Sequence, residues 1–150
     1  MSKHDFTTTI RVPRSPEEVF AAINDVRSWW TGDIEGRTDA LGESFTYRHK
    51  DIHRTTHRVT ELVPGERIAW RVTESFLAGL ADTKEWDGTE IVFDLARRGD
   101  ETEIRFTHVG LAPEIQCFDR CSRAWRFFIQ ESLEKRILAG APAPSARSTS

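Results

Sequence analysis

The feature that most constrains this chain is a run of alternating segments joined by turns and followed by one long amphipathic helix. Glu43–Arg48, His53–Val63, Arg67–Phe76, Thr89–Arg97 and Thr102–His108 place large apolar residues at every second position. That period marks half-buried strands. His49–Ile52, Pro64-Gly65-Glu66 and Arg98–Glu101 read as tight turns between them, and Leu77–Gly88 as a longer connection. Consecutive strands linked this way pair antiparallel. The stretch from about Ile115 to Ala139 then repeats apolar residues at helical spacing, with Cys117, Cys121, Trp125, Phe128, Ser132 and Ile137 on one wide face. A face that wide must be buried, and the sheet is the large partner at hand.

The chain opens with a further strand, Phe6–Val12. Ser15-Pro16-Glu17-Glu18 is a helix start: Ser15 suits the N-cap, Pro16 the first turn, and Glu18 completes a capping box. A second short helix is expected over Val26–Trp30, and Thr31–Gly42 reads as loop. The predicted order is β-α-α-β-β-β-β-β-α. This is an α+β layer arrangement, in which a curved antiparallel sheet of about six strands wraps a long C-terminal helix.

Length and composition fit that picture. A chain of 150 residues makes one domain, expected over residues 1–140, with the Ala/Pro/Ser-rich residues 141–150 as a disordered tail. A net charge of −3 argues against nucleic acid as a partner, because phosphate binding needs a basic surface. No apolar run is long enough to span a membrane. Two cysteines and a polar start point to a reducing cytoplasm.

Several segments resemble the START-like helix-grip superfamily, also called SRPBCC. Within it the chain is similar to the family named after the C-terminal domain of the activator of the heat-shock-protein-90 ATPase. The segments are Val12–Phe20, Ser28-Trp29-Trp30, Val59–Trp70, Glu85–Phe93 and Phe106–Leu111. The resemblance spans roughly Phe6 to Leu138. It implies a cavity between the sheet and the last helix, and it offers a heat-shock chaperone as an alternative partner. It carries over no catalytic set and no cofactor.

The candidate site residues follow from polar groups on apolar strand faces. Tyr47 follows Phe45, Glu74 follows Val72, and His108 follows Phe106 at period 2. An unpaired carboxylate does not survive in a dry core. Glu74 therefore either sits at an open strand end or lines a wet cavity, and repetition on three strands favours the cavity. If a reaction occurs there, as in a small hydrolase or cyclase, Glu74 and His108 are the acid–base candidates.

His49, His53 and His57 recur every four residues. On a strand such residues stand about 13 Å apart, too far to share a metal, so no metal site is expected. One of them, His53, is the choice for the cavity wall. Cys117 and Cys121 read as small buried hydrophobes one helical turn apart, a spacing that disfavours a bond between them.

Large rings complete the wall. The expected ligand-lining set is Trp30, Tyr47, His53, Trp70, Glu74, Phe76, Trp86, Phe93, His108, Cys121, Trp125 and Phe128. The Phe76–Trp86 connection is placed to gate it. Such a wall suits a small hydrophobic or amphipathic molecule.

Overall fold

The computed structural model describes residues 5–30, 32–81, 83–111 and 118–139. The expected tail, Cys117 and the expected first residues of the last helix lie outside them. Strand β1 is Phe6–Val12, followed by helix α1 over Pro16–Asn24 and a 3₁₀ turn at Val26–Ser28. Six further strands follow: β2 Asp33–Gly36, β3 Ser44–His49, β4 His53–Val63, β5 Arg67–Leu77, β6 Glu90–Arg98 and β7 Glu101–Val109. They form one antiparallel sheet in the order β1-β7-β6-β5-β4-β3-β2. The meander therefore runs from β2 to β7, and β1 closes its far side on β7, with Phe6 opposite His108 and Val12 opposite Thr102.

Strand β2 falls inside the expected loop, so the sheet has seven strands. Its four residues, Asp33-Ile34-Glu35-Gly36, contain one large apolar side chain and pair only with β3 at the sheet's edge. A strand that buries so little leaves no alternation to detect.

Helix α1 starts as the sequence predicts. The Glu18 backbone N–H donates to Ser15 Oγ at 3.1 Å, and the Ser15 N–H donates to Glu18 Oε1 at 3.1 Å. Two donors that the first turn leaves without helical partners are thereby satisfied. The helix buries Val19, Ala22 and Ile23.

The last helix is continuous but not uniform. Helix α2, Phe118–Arg126, runs into a π-helical stretch at Phe127–Leu133 and then into α3, Glu134–Leu138. Both junction residues, Arg126 and Glu134, keep right-handed helical angles. Its buried residues include Cys121, Trp125, Ile129, Leu133 and Ile137, spaced every four positions. At about 100° per residue, a four-residue step overshoots each α-helical turn by about 40°. An unbroken α-helix would therefore carry this stripe off the sheet. The wider π turn takes up more residues per turn and holds the stripe inward.

Two register shifts alter the strand faces. Thr56 pairs with Glu74 while His57 pairs with Val72, so Thr73 is an extra residue on β5. Val59 pairs with Trp70 while Glu61 pairs with Ala69, so Thr60 is extra on β4. Each β-bulge inverts the alternation beyond it.

The cap makes the first prediction. Ser15→Ala should lower stability by about 1 kcal/mol, and Ser15→Thr by much less. Urea midpoints with an unchanged slope would check it.

Candidate functional site

The space between sheet and last helix is filled by rings drawn from strands β3 to β7, the connection after β5, the 3₁₀ turn region and the last helix. Trp30 follows the 3₁₀ turn and stacks on Tyr47 of β3 at 4.0 Å between centroids, with 12° between planes. Trp30 also meets His57 of β4 at 5.4 Å, Trp125 of α2 at 5.0 Å and Phe128 at 6.4 Å. Trp70 of β5 packs on Phe93 at 5.2 Å and on His57 at 5.7 Å. Trp86, in the connection after β5, meets His53 at 5.0 Å, His108 at 4.6 Å and Trp125 at 5.9 Å. Trp30, Tyr47, Trp70, Trp86, Phe93, His108 and Trp125 are all buried, with Phe128 and His53 partly so.

Gly32 makes the Trp30–Tyr47 stack possible. Its φ is +153°, and a Cβ there would lie 2.5 Å from the Tyr47 ring. Only glycine lets the backbone run this close past the aromatic face.

The structure thus unites most of the expected wall, with two corrections. Glu74 and Phe76 are exposed and share the outer face of β5, away from the helix. The extra residue Thr73 is the reason: past the bulge, Ser75 and Leu77 take the inward positions. Glu74 and His108 therefore stand on opposite faces of the sheet and do not form an acid–base pair.

The second correction concerns Cys121, which is buried and disulfide-bonded. The expectation against a bond assumed that both cysteines lie on one helix. Cys117, the other cysteine of the chain, lies outside the described residues.

His108 joins the helix to the sheet. The Trp125 indole N–H donates to His108 Nδ1 at 3.0 Å. An indole nitrogen only donates, so Nδ1 must be bare and the ring proton sits on Nε2. Nε2 donates to Thr89 Oγ1 at 2.9 Å, and the Thr89 hydroxyl donates to the Trp86 carbonyl at 2.7 Å. Every group in this relay is satisfied. Burial pulls the His108 pKa down to about 3, and the neighbouring His53 adds to the shift. At neutral pH it is a fixed, uncharged link rather than a proton carrier.

His57, absent from the expected wall, is more deeply buried than His53. The inward run His53-Thr55-His57-Val59 was its signal in the sequence. His57 Nε2 bonds Thr55 Oγ1 at 2.8 Å. Burial holds His57 well below its ordinary pKa, and His108 and His53 add to that. Burial, with Arg120 and His49, holds His53 down to about 4. Burial pushes the Tyr47 hydroxyl up to about 12, partly offset by a hydrogen bond with Trp30. The interior is polar in places but carries no net charge from these groups at neutral pH.

Not every polar atom inside is satisfied. Among the described residues five buried polar atoms have no hydrogen-bond partner: His53 Nε2, His57 Nδ1, Trp70 Nε1 and Trp86 Nε1 in this interior, and Asn24 Oδ1 at the end of α1. Each such atom costs about 1–3 kcal/mol. A half-open groove of about 880 Å³ lies elsewhere, between α1, residues 36–39 and Arg136–Ile137, and shares no residue with the expected wall. His49 and His53 face each other across the β3–β4 turn. Among the described residues no three His, Cys, Asp or Glu side chains gather at one point.

Residues 13–137 match the family described as activator of Hsp90 ATPase homolog 1-like protein. The chain belongs to that family. Among solved structures, this family member is similar to the Aha1 dimer of Colwellia psychrerythraea, at 27% identity and a TM-score of 0.71, over 89% of this chain and 95% of that one. It shares its fold with protein MLL2253 of Mesorhizobium loti, at 17% identity and a TM-score of 0.70, over 89% and 98% of the two chains. DynU16, from the dynemicin biosynthetic locus, has the same fold at 16% identity and a TM-score of 0.69 over 91% of this chain. This chain spans only 48% of DynU16. No curated protein matches. No helix among the described residues is long and apolar enough to cross a membrane.

The three histidines of this family member make stability depend on pH. Their folded pKa values lie below the ordinary 6.5, so the unfolded chain binds protons that the fold excludes. The stability they allow is fully present above about pH 6.5 and is lost progressively as pH falls through about 4, for His53, toward about 3, for His108. Near pH 5 the slope should approach three protons, about 4 kcal/mol per pH unit. His57→Phe should remove one of the three. Urea unfolding between pH 5 and 7 would measure both slopes.

Proposed function

We propose that this protein binds a small hydrophobic or amphipathic molecule between the sheet and the last helix. The observation that carries the reading is the set of four unpartnered polar atoms, on His53, His57, Trp70 and Trp86, inside a shell of rings. Buried polar groups in native proteins have partners, and exceptions call for one. A ligand with an apolar body and polar atoms would supply both the partners and the contact area for the rings. The contact residues proposed are the inward members of the wall: Trp30, Tyr47, His53, Trp70, Trp86, Phe93, His108, Cys121, Trp125 and Phe128, together with His57.

Room for such a molecule requires a ring to yield. Trp86 is the candidate, because a connection carries it rather than a strand or helix. That connection is held by Ser75 Oγ donating to Asp87 at 2.6 Å and by Arg120 donating to the Ala78 carbonyl at 3.0 Å. The proposed setting is the cytoplasm, although a disulfide such as that of Cys121 is uncommon in a reducing compartment.

A second reading follows from the family match and from the likeness to the Aha1 dimer: a module that acts on a heat-shock ATPase through its surface. The two readings separate experimentally, because stimulation of an ATPase by a surface should survive Trp70→Phe. Nothing in the geometry supports the third expectation, a cavity hydrolase or cyclase using Glu74 or His108.

Native mass spectrometry of the purified protein, with a thermal-shift panel of fatty acids, sterols and flat aromatics, tests ligand binding. We expect a bound mass or an upward shift of several degrees from at least one class. A bare mass with no shift from any class would sink the proposal.

A further inference from the structure

We infer that the outer face of the sheet, over β3 to β5, docks an extended acidic segment of another protein, with carboxylates four residues apart. This face is turned away from the last helix, and the inference does not rest on ligand binding in the interior.

Strand alternation builds the face. Tyr47, Thr55, His57 and Val72 point inward and are buried. Arg48, Arg54, Arg58 and Arg71 take positions on the other side and are exposed. The register sets them in two facing pairs: Arg48 opposite Arg54 across β3 and β4, and Arg58 opposite Arg71 across β4 and β5. Directly opposite side chains leave β-carbons about 4.5–5.5 Å apart, and like charges so placed repel.

Nothing within the chain offsets that repulsion. Among the described residues, no guanidinium of the four closes an ion pair or a hydrogen bond. Asp33 stands opposite Arg48 and Glu90 opposite Arg71 in register, and neither pair closes. Other arginines of the sheet are paired: Arg11 and Arg98 meet Glu103, and Arg67 meets Glu61 and Asp94. A chain of net charge −3 thus presents four open cations on three neighbouring strands. Carboxylates from a partner would relieve the repulsion in each pair.

The spacing of the pairs defines the partner. Arg54 and Arg58 lie four residues apart on one strand, about 13 Å. An extended polypeptide has the same rise, so its carboxylates at i and i+4 reach one pair each. Adjacent guanidiniums offer forked N–H donors that match a carboxylate. Between the pairs runs the row Thr46, Thr56 and Glu74, with the two threonine hydroxyls bonded at 3.0 Å. Glu74 is exposed there and repels negative charge at the middle of the segment. The sequence that fits is therefore acidic, uncharged, acidic. A nucleic-acid strand carries charge without such a gap and would meet Glu74 as well as the arginines.

Three capped nine-residue peptides test this by NMR titration of the protein's amide signals. The first carries Glu at its third and seventh positions among Thr and Val. The second carries Gln at both. The third adds a Glu at the fifth. The first should shift amides of β3, β4 and β5 and bind about tenfold more tightly than the second. Raising salt from about 0.1 M to about 1 M shortens the screening length from about 10 Å to about 3 Å and should remove most of that difference. Arg54→Gln and Arg58→Gln should each weaken the first peptide about tenfold, whereas Arg11→Gln, on β1, should not. The third peptide should bind more weakly than the first, and Glu74→Gln should erase that gap.

Equal binding of the first two peptides would overturn the inference, as would an Arg11→Gln effect as large as that of Arg54→Gln. Phe76, exposed opposite Arg54, is able to stack a base, so oligothymidylate is the competing probe. Tighter binding of oligothymidylate, or of phosphatidylserine vesicles, than of the first peptide would also overturn it. Absence of any shift with the first peptide would do the same and leave the interior proposal untouched. The parent's ranking of the peptides decides the matter even if an arginine variant does not fold.

Discussion

The bond from the Trp125 indole to His108 Nδ1 ties the last helix to β7, and much of the interior is arranged by it. It fixes the neutral tautomer of His108, which fixes the bond to Thr89, which anchors the Trp86 carbonyl. Three separate segments thus become one polar chain inside an apolar shell. Such a chain tolerates low dielectric only when each member is satisfied, and this one is. It also constrains chemistry. A proton on Nδ1 would break the Trp125 bond, so the residue that looked like an acid–base candidate is held in one state by its neighbours.

The fold was legible because its signals were redundant. Ser15, Pro16 and Glu18 agree on one helix start, and five alternating segments agree on one meander. The site was legible only in part. Val72-Thr73-Glu74-Ser75 reads equally well with or without an extra residue, since a single insertion among polar side chains leaves no hydrophobic mark. The bulge at Thr73 nonetheless decides which face Glu74 and Phe76 occupy. Leu77, fully buried, was the trace of the inverted phase, and exposed Phe76 competed with it. Hydrogen bonds were invisible for a different reason. Trp125 and Trp86 both read as apolar rings, and only the positions of their nitrogens show that one donor is used and the other is not.

The last helix shows how the two periods are reconciled. A buried residue at every fourth position from Cys121 to Ile137 is not the period of an α-helix. The π-helical stretch at Phe127–Leu133 corrects the drift in the middle, where Phe128 and Ile129 meet the core. The irregularity is therefore a consequence of the stripe the sequence carries. It also places Gln130 beside β1, where its amide donates to Thr8 Oγ1 at 2.7 Å, and so fastens the helix to the edge strand as His108 fastens it to β7 next to it.

The contrast between His108 and its neighbours gives the interior its meaning. His108 and Trp125 show that this sequence can satisfy an imidazole and an indole in a closed space, using a hydroxyl and a carbonyl already at hand. Trp70, Trp86 and His53 lie within the same ring network and are left open. A fold selected for stability alone would gain by replacing these indoles with phenylalanine, since the ring contacts would largely persist and the desolvation cost would vanish. Their presence costs stability in the free protein, a cost that the polar atoms of the proposed ligand would offset. The difference between the satisfied relay and the open atoms beside it is the physical support for the proposed binding in this interior.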